Sequence, residues 1–107
     1  MDDGYLYENA IAQTIASCGK TAYYHTWQKN DSTHLFEIDF LISEKDKIDP
    51  IEVKSSSVKR HLSLDAFSEK YSSVTGNRYI FSQKDTGKDG AILLKPMYMA
   101  LPLIEKI

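Results

Sequence analysis

The order of patterned segments along the chain predicts an α/β fold in which a mixed β-sheet is flanked by helices. From the amino terminus, the sequence shows a helical segment, three strand-like segments in close succession, a second helical segment and two further strand-like segments. Short connections make the first three strands an antiparallel meander. A helical crossover returns the following strand parallel to its sheet. We therefore expect both kinds of pairing in one sheet.

Helical spacing of apolar residues predicts the helices. The first covers 4–17, with Gly19 as its C-cap, and the second covers 62–72. A final short helix follows in 97–107 and is interrupted by Pro102. We expect this apolar tail to pack on the sheet, and a docking surface for a partner is the alternative. The apolar positions that recur at helical spacing are Leu6, Ala10, Ile11, Ile15 and Ala16 in the first helix, and Leu64, Phe67 and Tyr71 share a stripe in the second.

Short aromatic and β-branched runs predict five strands. They lie at 22–27, at 35–43, within 50–56, at 77–82 and at 90–94, and the polar segments 28–33 and 44–47 are predicted to be turns. The second strand alternates in character, which predicts one core-facing side and one opposite side. The core-facing set is Phe36, Ile38, Phe40 and Ile42, and the opposite set is Leu35, Glu37, Asp39 and Leu41.

Length, composition and charge limit the class of protein. The chain has 107 residues, of which 42% are hydrophobic and 26% charged, and this predicts one domain covering 1–107. A formal net charge of -2 excludes the broad basic surface of a non-specific nucleic-acid binder, so such a role must rest on a local site or a partner. With Cys18 as the one cysteine and no long apolar run, we expect a cytoplasmic protein without a membrane segment.

A hairpin between the second and third strands brings charged residues together. A four-residue loop after Ser43 would pair that residue with Ile48, and Asp39 then falls opposite Glu52. Directly opposed residues on one face have Cβ atoms about 5 Å apart, and Lys54 follows about 7 Å further along the strand. The hairpin therefore predicts a compact carboxylate and lysine cluster. A register slip of one residue would abolish it.

Glu8 adds a further carboxylate to this cluster. It shares a helix face with Ile11, Ala12 and Ile15, so its side chain should point at the sheet. Several acids in one place repel each other, and a proton or a metal ion must offset that cost. Oxygen ligands favour Mg²⁺ or Mn²⁺ over Zn²⁺.

Each of these residues also has a structural explanation when taken alone. Glu8 can be an acid in the first turn of a helix, and Glu37 can be a solvated strand residue. Asp39 and Lys54 can form a cross-strand salt bridge. An acid on a helix, an acid on one strand and an E-x-K on the next converge only in one topology. The combination therefore favours a functional site.

At these residues the sequence resembles the PD-(D/E)XK nuclease-like superfamily. Glu8 lies on the first helix, Ile38-Asp39 stands where the family has Pro-Asp, and Glu52-Val53-Lys54 is the E-x-K element. YENAIAQTI, EIDFLI, PIEVKSS and KPMYMALPL further resemble an uncharacterised C-terminal domain of predicted bacterial and archaeal AAA+ ATPases. The resemblance implies a restriction-endonuclease-like core, and a chain that is the C-terminal part of a larger ATPase.

The resemblance also implies a metal-dependent activity on nucleic acid. Asp39 and Glu52 would bind Mg²⁺ or Mn²⁺ with the backbone carbonyl of Val53. Glu8 would help to position the ion, and Lys54 would orient the attacking water or stabilise the phosphorane charge. The expected partners are nucleic acid and an ATPase domain in cis, and the sequence leaves homo-oligomerisation open. The alternative is a non-catalytic nuclease-like module for protein or DNA contact that regulates an ATPase.

Overall fold

The computed structural model describes residues 3–28, 35–54, 62–82 and 87–107. Within these ranges, helices alternate with strands in an order close to the predicted one. The elements are α1 (Asp3–Ser17), β1 (Tyr23–Gln28), β2 (Leu35–Glu44), β3 (Lys47–Val53), α2 (Leu62–Lys70), β4 (Arg78–Ser82), β5 (Gly87–Asp89), β6 (Ile92–Pro96), a 3-10 turn (Met97–Met99) and α3 (Ala100–Lys106). The predicted turn at 28–33 lies almost entirely outside the described residues.

The strands form one mixed sheet in the order β1-β2-β3-β4-β6-β5. The pairs β1/β2, β2/β3 and β5/β6 are antiparallel, whereas β3/β4 and β4/β6 are parallel. The α2 crossover connects β3 to its parallel neighbour β4, as a helical connection requires. The predicted α/β fold with a mixed sheet is confirmed, and β5 is an edge strand that the sequence pattern did not reveal.

The hairpin between β2 and β3 has the predicted register. Ser43 pairs with Ile48, and Phe40 pairs with Ile51 further along the ladder. The turn is shorter than predicted, because pairing continues to Glu44 and leaves two residues between the strands. Lys45 occupies this turn with a φ of 56°, the left-handed conformation that tight hairpin turns use.

A β-bulge interrupts the pairing of β2 with β1. Tyr23 pairs with Leu41, but His25 pairs with Ile38, so residues 39–40 oppose a single residue of β1. An extra residue in one strand resets the alternation of its side chains. The bulge therefore turns the two halves of β2 to different faces of the sheet.

The predicted burial of Ile38 and Ile42 is confirmed, but the prediction that they share one face of β2 is wrong for this reason. Ile38 packs with the residues of α2, whereas Ile42 packs with those of α1 and α3. Phe40 is half-buried against the same cluster as Ile42. The side chain of Phe36 lies outside the described residues. Two-residue alternation persists only as long as the ladder has no extra residue.

Apolar side chains fill both faces of the sheet. Strand β4 shows this directly, because Tyr79 and Phe81 face α1 and α3 while Ile80 faces α2. The cluster on the α1 and α3 side consists of Ile11, Ile15, Ile42, Ile51, Val53, Tyr79, Phe81, Ala100 and Ile104. The cluster on the α2 side consists of Ile38, Leu64, Phe67, Ile80 and Ile92, with Tyr71 partly buried against it.

The helices match the prediction in extent but less well in their buried faces. In α1, the predicted positions Leu6, Ala10 and Ala16 are exposed, because a helix resting on a sheet buries a narrower stripe than the full set of apolar residues. Pro102 does not interrupt α3. It lies in the first helical turn, where a backbone N–H has no partner within the helix. The apolar tail packs on the sheet, as predicted, through Ala100 and Ile104.

The carboxyl end of α1 closes in a way that fixes the direction of the following residue. Gly19, the predicted C-cap, has a φ of 72°, and its N–H donates to the carbonyl of Ala16. The N–H of Lys20 donates to the carbonyl of Ile15, which completes a Schellman motif. None of the helices in the described part of the chain has the length and apolar character needed to cross a membrane.

Candidate active site

Asp39 lies in the β-bulge, and its carboxylate bonds to the neighbouring strand. Its Oδ2 accepts a hydrogen bond from the backbone N–H of Val53 at 2.8 Å. The next N–H along β3, that of Lys54, donates to the carbonyl of Phe81 in β4 at 2.9 Å. The end of β3 is therefore held from both sides, by the Asp39 side chain and by the β4 backbone.

Glu8 of α1 contacts Asp39 directly, through a hydrogen bond between their side chains. Burial raises the pKa of Asp39 above its ordinary value, and this is the largest influence on it. The bond from Val53, the contact with Glu8 and the charge of Lys54 act in the opposite direction, and the charge of Glu37 adds to the increase in pKa. Two carboxyl groups in contact can share a proton or a cation.

Glu52 and Lys54 form the second half of the site. Ile51 and Val53 fill the core beneath α1, so Glu52 projects between them toward the other face of β3. Only 5% of Glu52 is exposed, and its Oε2 lies 3.5 Å from the Nζ of Lys54. The end of β3 thus buries Ile51 and Val53 on one face and the Glu52 carboxylate on the other.

All four predicted site residues line one cavity of about 250 Å³. The elements that supply them are α1, β2 and the end of β3, as the sequence pattern predicted. The cavity is reached from both sides of the sheet, because Ser63 of α2 lines it opposite Glu8 of α1. Its lining residues are Glu8, Glu37, Asp39, Glu52, Val53, Lys54 and Ser63.

Ser63 is a member of the site that the sequence analysis did not single out. Its hydroxyl oxygen accepts a hydrogen bond from the backbone N–H of Glu37 at 3.3 Å, which ties the start of α2 to β2. The sequence shows only that a serine lies in the first turn of the helix after the E-x-K strand. Its place in the site follows from the crossover, which brings α2 beside β2.

Asp49 is a second acid that the sequence analysis did not single out, and it does not line the cavity. It is fully buried in β3, and its Oδ1 accepts the backbone N–H of Asn77 at 3.0 Å. Asp49 therefore supports the segment that leads into β4. We assign it a structural function.

The donor atoms of the site suit a hard divalent cation. Glu8, Asp39, Glu52 and the carbonyl of Val53 present only oxygen, which Mg²⁺ and Mn²⁺ prefer. Within the described residues, however, no three His, Cys, Asp or Glu side chains are grouped as a ready set of metal ligands. Glu8 and Asp39 already meet, whereas Glu52 is oriented toward Lys54. The residues fit such a cation chemically, and Glu52 is the group that must turn to complete the set.

The described residues form an α/β domain in which neighbouring strands of a mixed sheet carry a carboxylate and lysine cluster at a β-bulge. The chain belongs to the family described as "Domain of unknown function (DUF4143)", whose profile matches residues 3–98.

The fold is shared with a solved structure. The crystal structure of protein VC1899 from Vibrio cholerae superposes with a TM-score of 0.50 at 11% sequence identity, over 94% of this chain. The match spans only 30% of the VC1899 chain, so the fold is one portion of a longer protein there. No curated protein matches the chain significantly.

Proposed function

We propose that this domain is a Mg²⁺- or Mn²⁺-dependent phosphodiester hydrolase of the nuclease type, acting on nucleic acid. The observation that carries the proposal is the convergence of Glu8, Asp39, Glu52 and Lys54 in one cavity. These residues come from three separate elements. The similarity of the same positions to the PD-(D/E)XK pattern supports the proposal independently of the cavity.

The electrostatics of the cavity favour a site that receives a cation. Burial raises the pKa of Asp39, and Glu8 lies against it, so both groups are ionised together only at a cost. A divalent cation would offset this cost and hold both groups in their ionised form.

In the proposed mechanism, Asp39, Glu52 and the Val53 carbonyl would hold the ion, and Glu8 would help to position it through its contact with Asp39. The bound ion supplies Lewis-acid polarisation of the phosphate and a water of lowered pKa. The N–H of Val53 fixes the direction of the Asp39 carboxylate, so this group is preorganised before substrate arrives. Lys54 is 37% exposed at its side chain, and it can turn from Glu52 toward the phosphate, where its ammonium stabilises the developing negative charge.

Two similarities support the proposal that this domain is part of a larger protein: the fold match to VC1899 and the resemblance to a C-terminal domain of predicted AAA+ ATPases. The portion of VC1899 that matches this chain shows that the fold can occur within a longer chain. We infer that residues 1–107 form a single restriction-endonuclease-like domain, the C-terminal part of a cytoplasmic AAA+ ATPase that would supply the substrate. In this proposal, any association between copies of the domain would follow from the assembly of the attached ATPase.

A non-catalytic module that regulates an attached ATPase is the second candidate. Two observations favour it: the net charge of -2, and a set of carboxylates that is not grouped around one point. In that case the ion pair of Glu52 and Lys54 has a structural role at the end of β3, and partners bind elsewhere.

Calorimetric titration with Mn²⁺ separates these two functions. We expect binding by the wild type and none by Asp39→Ala/Glu52→Ala, because that pair of changes removes two of the ligands. The matched control Glu69→Ala/Glu105→Ala removes the same charge from exposed helix positions and should bind Mn²⁺ like the wild type. Absence of binding by the wild type would rule out the metal-dependent enzyme and favour the regulatory module.

Cleavage of labelled oligonucleotides then tests the role of Lys54. We expect Lys54→Met to keep Mn²⁺ binding and to lose about 10²–10³-fold in turnover, the usual cost of removing one group that stabilises transition-state charge. Lys88→Met changes an exposed lysine on the distant edge strand β5 and serves as the control. Equal turnover in the two variants would remove Lys54 from the mechanism.

A further inference from the structure

A second cavity, of about 490 Å³, adjoins the proposed site. The two cavities share Glu8, Glu37 and Asp39, so together they form one groove. Beyond Asp39 the larger cavity runs along α1 as far as Lys20. Its volume lies in the range of cavities that hold a single small ligand.

The far part of this groove has a mainly apolar lining of small side chains. Ala12 and Ala16 line it from successive turns of α1, and Ala22 lines it from the chain just before β1. Ile15 and Phe40 complete the apolar lining. Alanines at these positions leave the room that larger residues would fill, so the groove has flat apolar surface close to the carboxylates.

Lys20 supplies a positive charge at the end of the groove. The Schellman closure of α1 sets the direction of its backbone, and its Nζ donates a hydrogen bond to the carbonyl of Ile107. An ammonium group has three donors, so the other two can bind an anion in the groove. The groove thus presents carboxylates, an apolar stretch and a lysine in that order.

We propose that this groove binds one unpaired nucleotide next to the scissile phosphate, so that the substrate is a single-stranded or frayed nucleic acid. The inference rests on the proposed function, because the scissile phosphate would lie at Asp39 and Glu52. The unpaired base packs on the apolar lining between the carboxylates and Lys20, and Lys20 binds the flanking phosphate. A base inside a duplex is stacked and paired, and it must leave the helix at a cost before it can enter such a cavity. A single strand has no such cost.

Fluorescence anisotropy of a labelled oligonucleotide tests this inference. The binding assay contains Ca²⁺ in place of Mg²⁺, because Ca²⁺ also binds oxygen ligands but does not share the strict octahedral geometry of Mg²⁺, so that binding is measured without cleavage. The probe is a labelled G·C-rich oligonucleotide of about sixteen nucleotides, which lies within the lengths of single-stranded sites and forms a stable duplex with its complement. We expect the single strand to bind about tenfold more tightly than the same strand paired with its complement. Filling the groove with Ala16→Leu should weaken single-strand binding about tenfold, the loss of one packed base. Lys20→Ala should weaken it to a similar extent.

Two matched variants control for the substitutions. Ala10→Leu makes the same change on an exposed position of α1 outside the groove, and Lys88→Ala removes an exposed lysine on β5. Both should bind like the wild type. Leucine is a good helix former, so Ala16→Leu should fold normally, and its melting temperature checks this.

The outcomes distinguish a failure of this inference from a failure of the proposed function. Equal binding of single strand and duplex, or unchanged binding by Ala16→Leu, would overturn the groove proposal while Mn²⁺ binding and cleavage could still stand. No binding of either oligonucleotide would overturn both the groove and an activity on nucleic acid. Single-strand preference that Ala16→Leu removes, and that Ala10→Leu keeps, would support it.

Discussion

The environment of Asp39 is set by a single extra residue in β2. The bulge turns this carboxylate toward α1, where it meets Glu8, and its Oδ2 still accepts the N–H of Val53. Bulges commonly direct a side chain in this way beside functional sites. The cost of placing Asp39 there is visible in its pKa, which burial raises.

The raised pKa of the Asp39 carboxyl group predicts that a neutral residue at this position will stabilise the domain. A carboxyl group with a raised pKa in the native state keeps a proton there after the unfolded chain has lost it. The free energy of unfolding therefore falls as the pH rises from the ordinary Asp value of 3.8 through the higher native pKa. Asp39→Asn removes this loss and retains an oxygen that can accept the Val53 N–H. We expect its melting temperature at neutral pH, without metal, to be a few degrees above that of the wild type.

Thermal unfolding between about pH 4 and pH 7 measures this effect. The wild type should lose stability over this interval relative to Asp39→Asn, and Mn²⁺ should stabilise only the wild type. Asp65→Asn, at an exposed position of α2, is the control and should follow the wild type. A lower melting temperature for Asp39→Asn at neutral pH would contradict the electrostatic account.

Strand β3 organises both the site and the entry to β4. Its end carries Glu52 and Lys54, and its beginning is bonded to the segment after α2. Ile48 donates to the carbonyl of Val74 and accepts from the N–H of Gly76. These bonds bring Gly76 against the buried carboxylate of Asp49.

Gly76→Ala should be strongly destabilising. A Cβ at this position would lie 2.2 Å from the Oδ1 of Asp49 and 3.2 Å from the Cβ of Lys47. Asp49 is fully buried and cannot turn into solvent, so the segment must move. We expect a loss of about 3 kcal/mol in the free energy of unfolding. Gly87→Ala is the control, because its Cβ would meet only Leu94 at 3.8 Å, and its loss in urea unfolding should be less than about 1 kcal/mol. Similar losses for the two variants would refute the steric explanation.

Across the whole molecule, α3 completes the core that supports α1. Ile104 is fully buried and packs with Ile11 and Ile15. Since α1 carries Glu8, the C-terminal helix helps to hold one side of the site.

Ile104→Ala should therefore destabilise the domain by about 3 kcal/mol, through lost apolar burial and the cavity left behind. Leu101→Ala on the same helix is the control. Leu101 is 48% exposed, and its truncation should cost less than about 1 kcal/mol. Chemical denaturation of both variants provides the comparison. A loss for Ile104→Ala as small as that expected for Leu101→Ala would mean that α3 contributes little to the core.

Local patterns predicted much of this architecture because they depend on neighbours in the chain. The spacing of Ile11 and Ile15 identified the buried side of α1, and loop length identified the pairing of Ser43 with Ile48. That pairing runs as far as Phe40 with Ile51, which brings Asp39 to the end of β3, where its carboxylate accepts the Val53 N–H. The exposure of Leu6 was not predictable, because it depends on how far α1 overlaps the sheet.

The sequence by itself determined the order of helices and strands, the hairpin register and the identity of the four charged residues that share a cavity. Only the tertiary structure decided the bulge at residues 39–40, the contact of Glu8 with Asp39, the place of Ser63 and the apolar groove that leads to Lys20. The physical reason is distance along the chain. Periodicity and turn length are local properties of the chain. The bulge, the Glu8 contact, the place of Ser63 and the groove instead arise where segments far apart in sequence pack against each other.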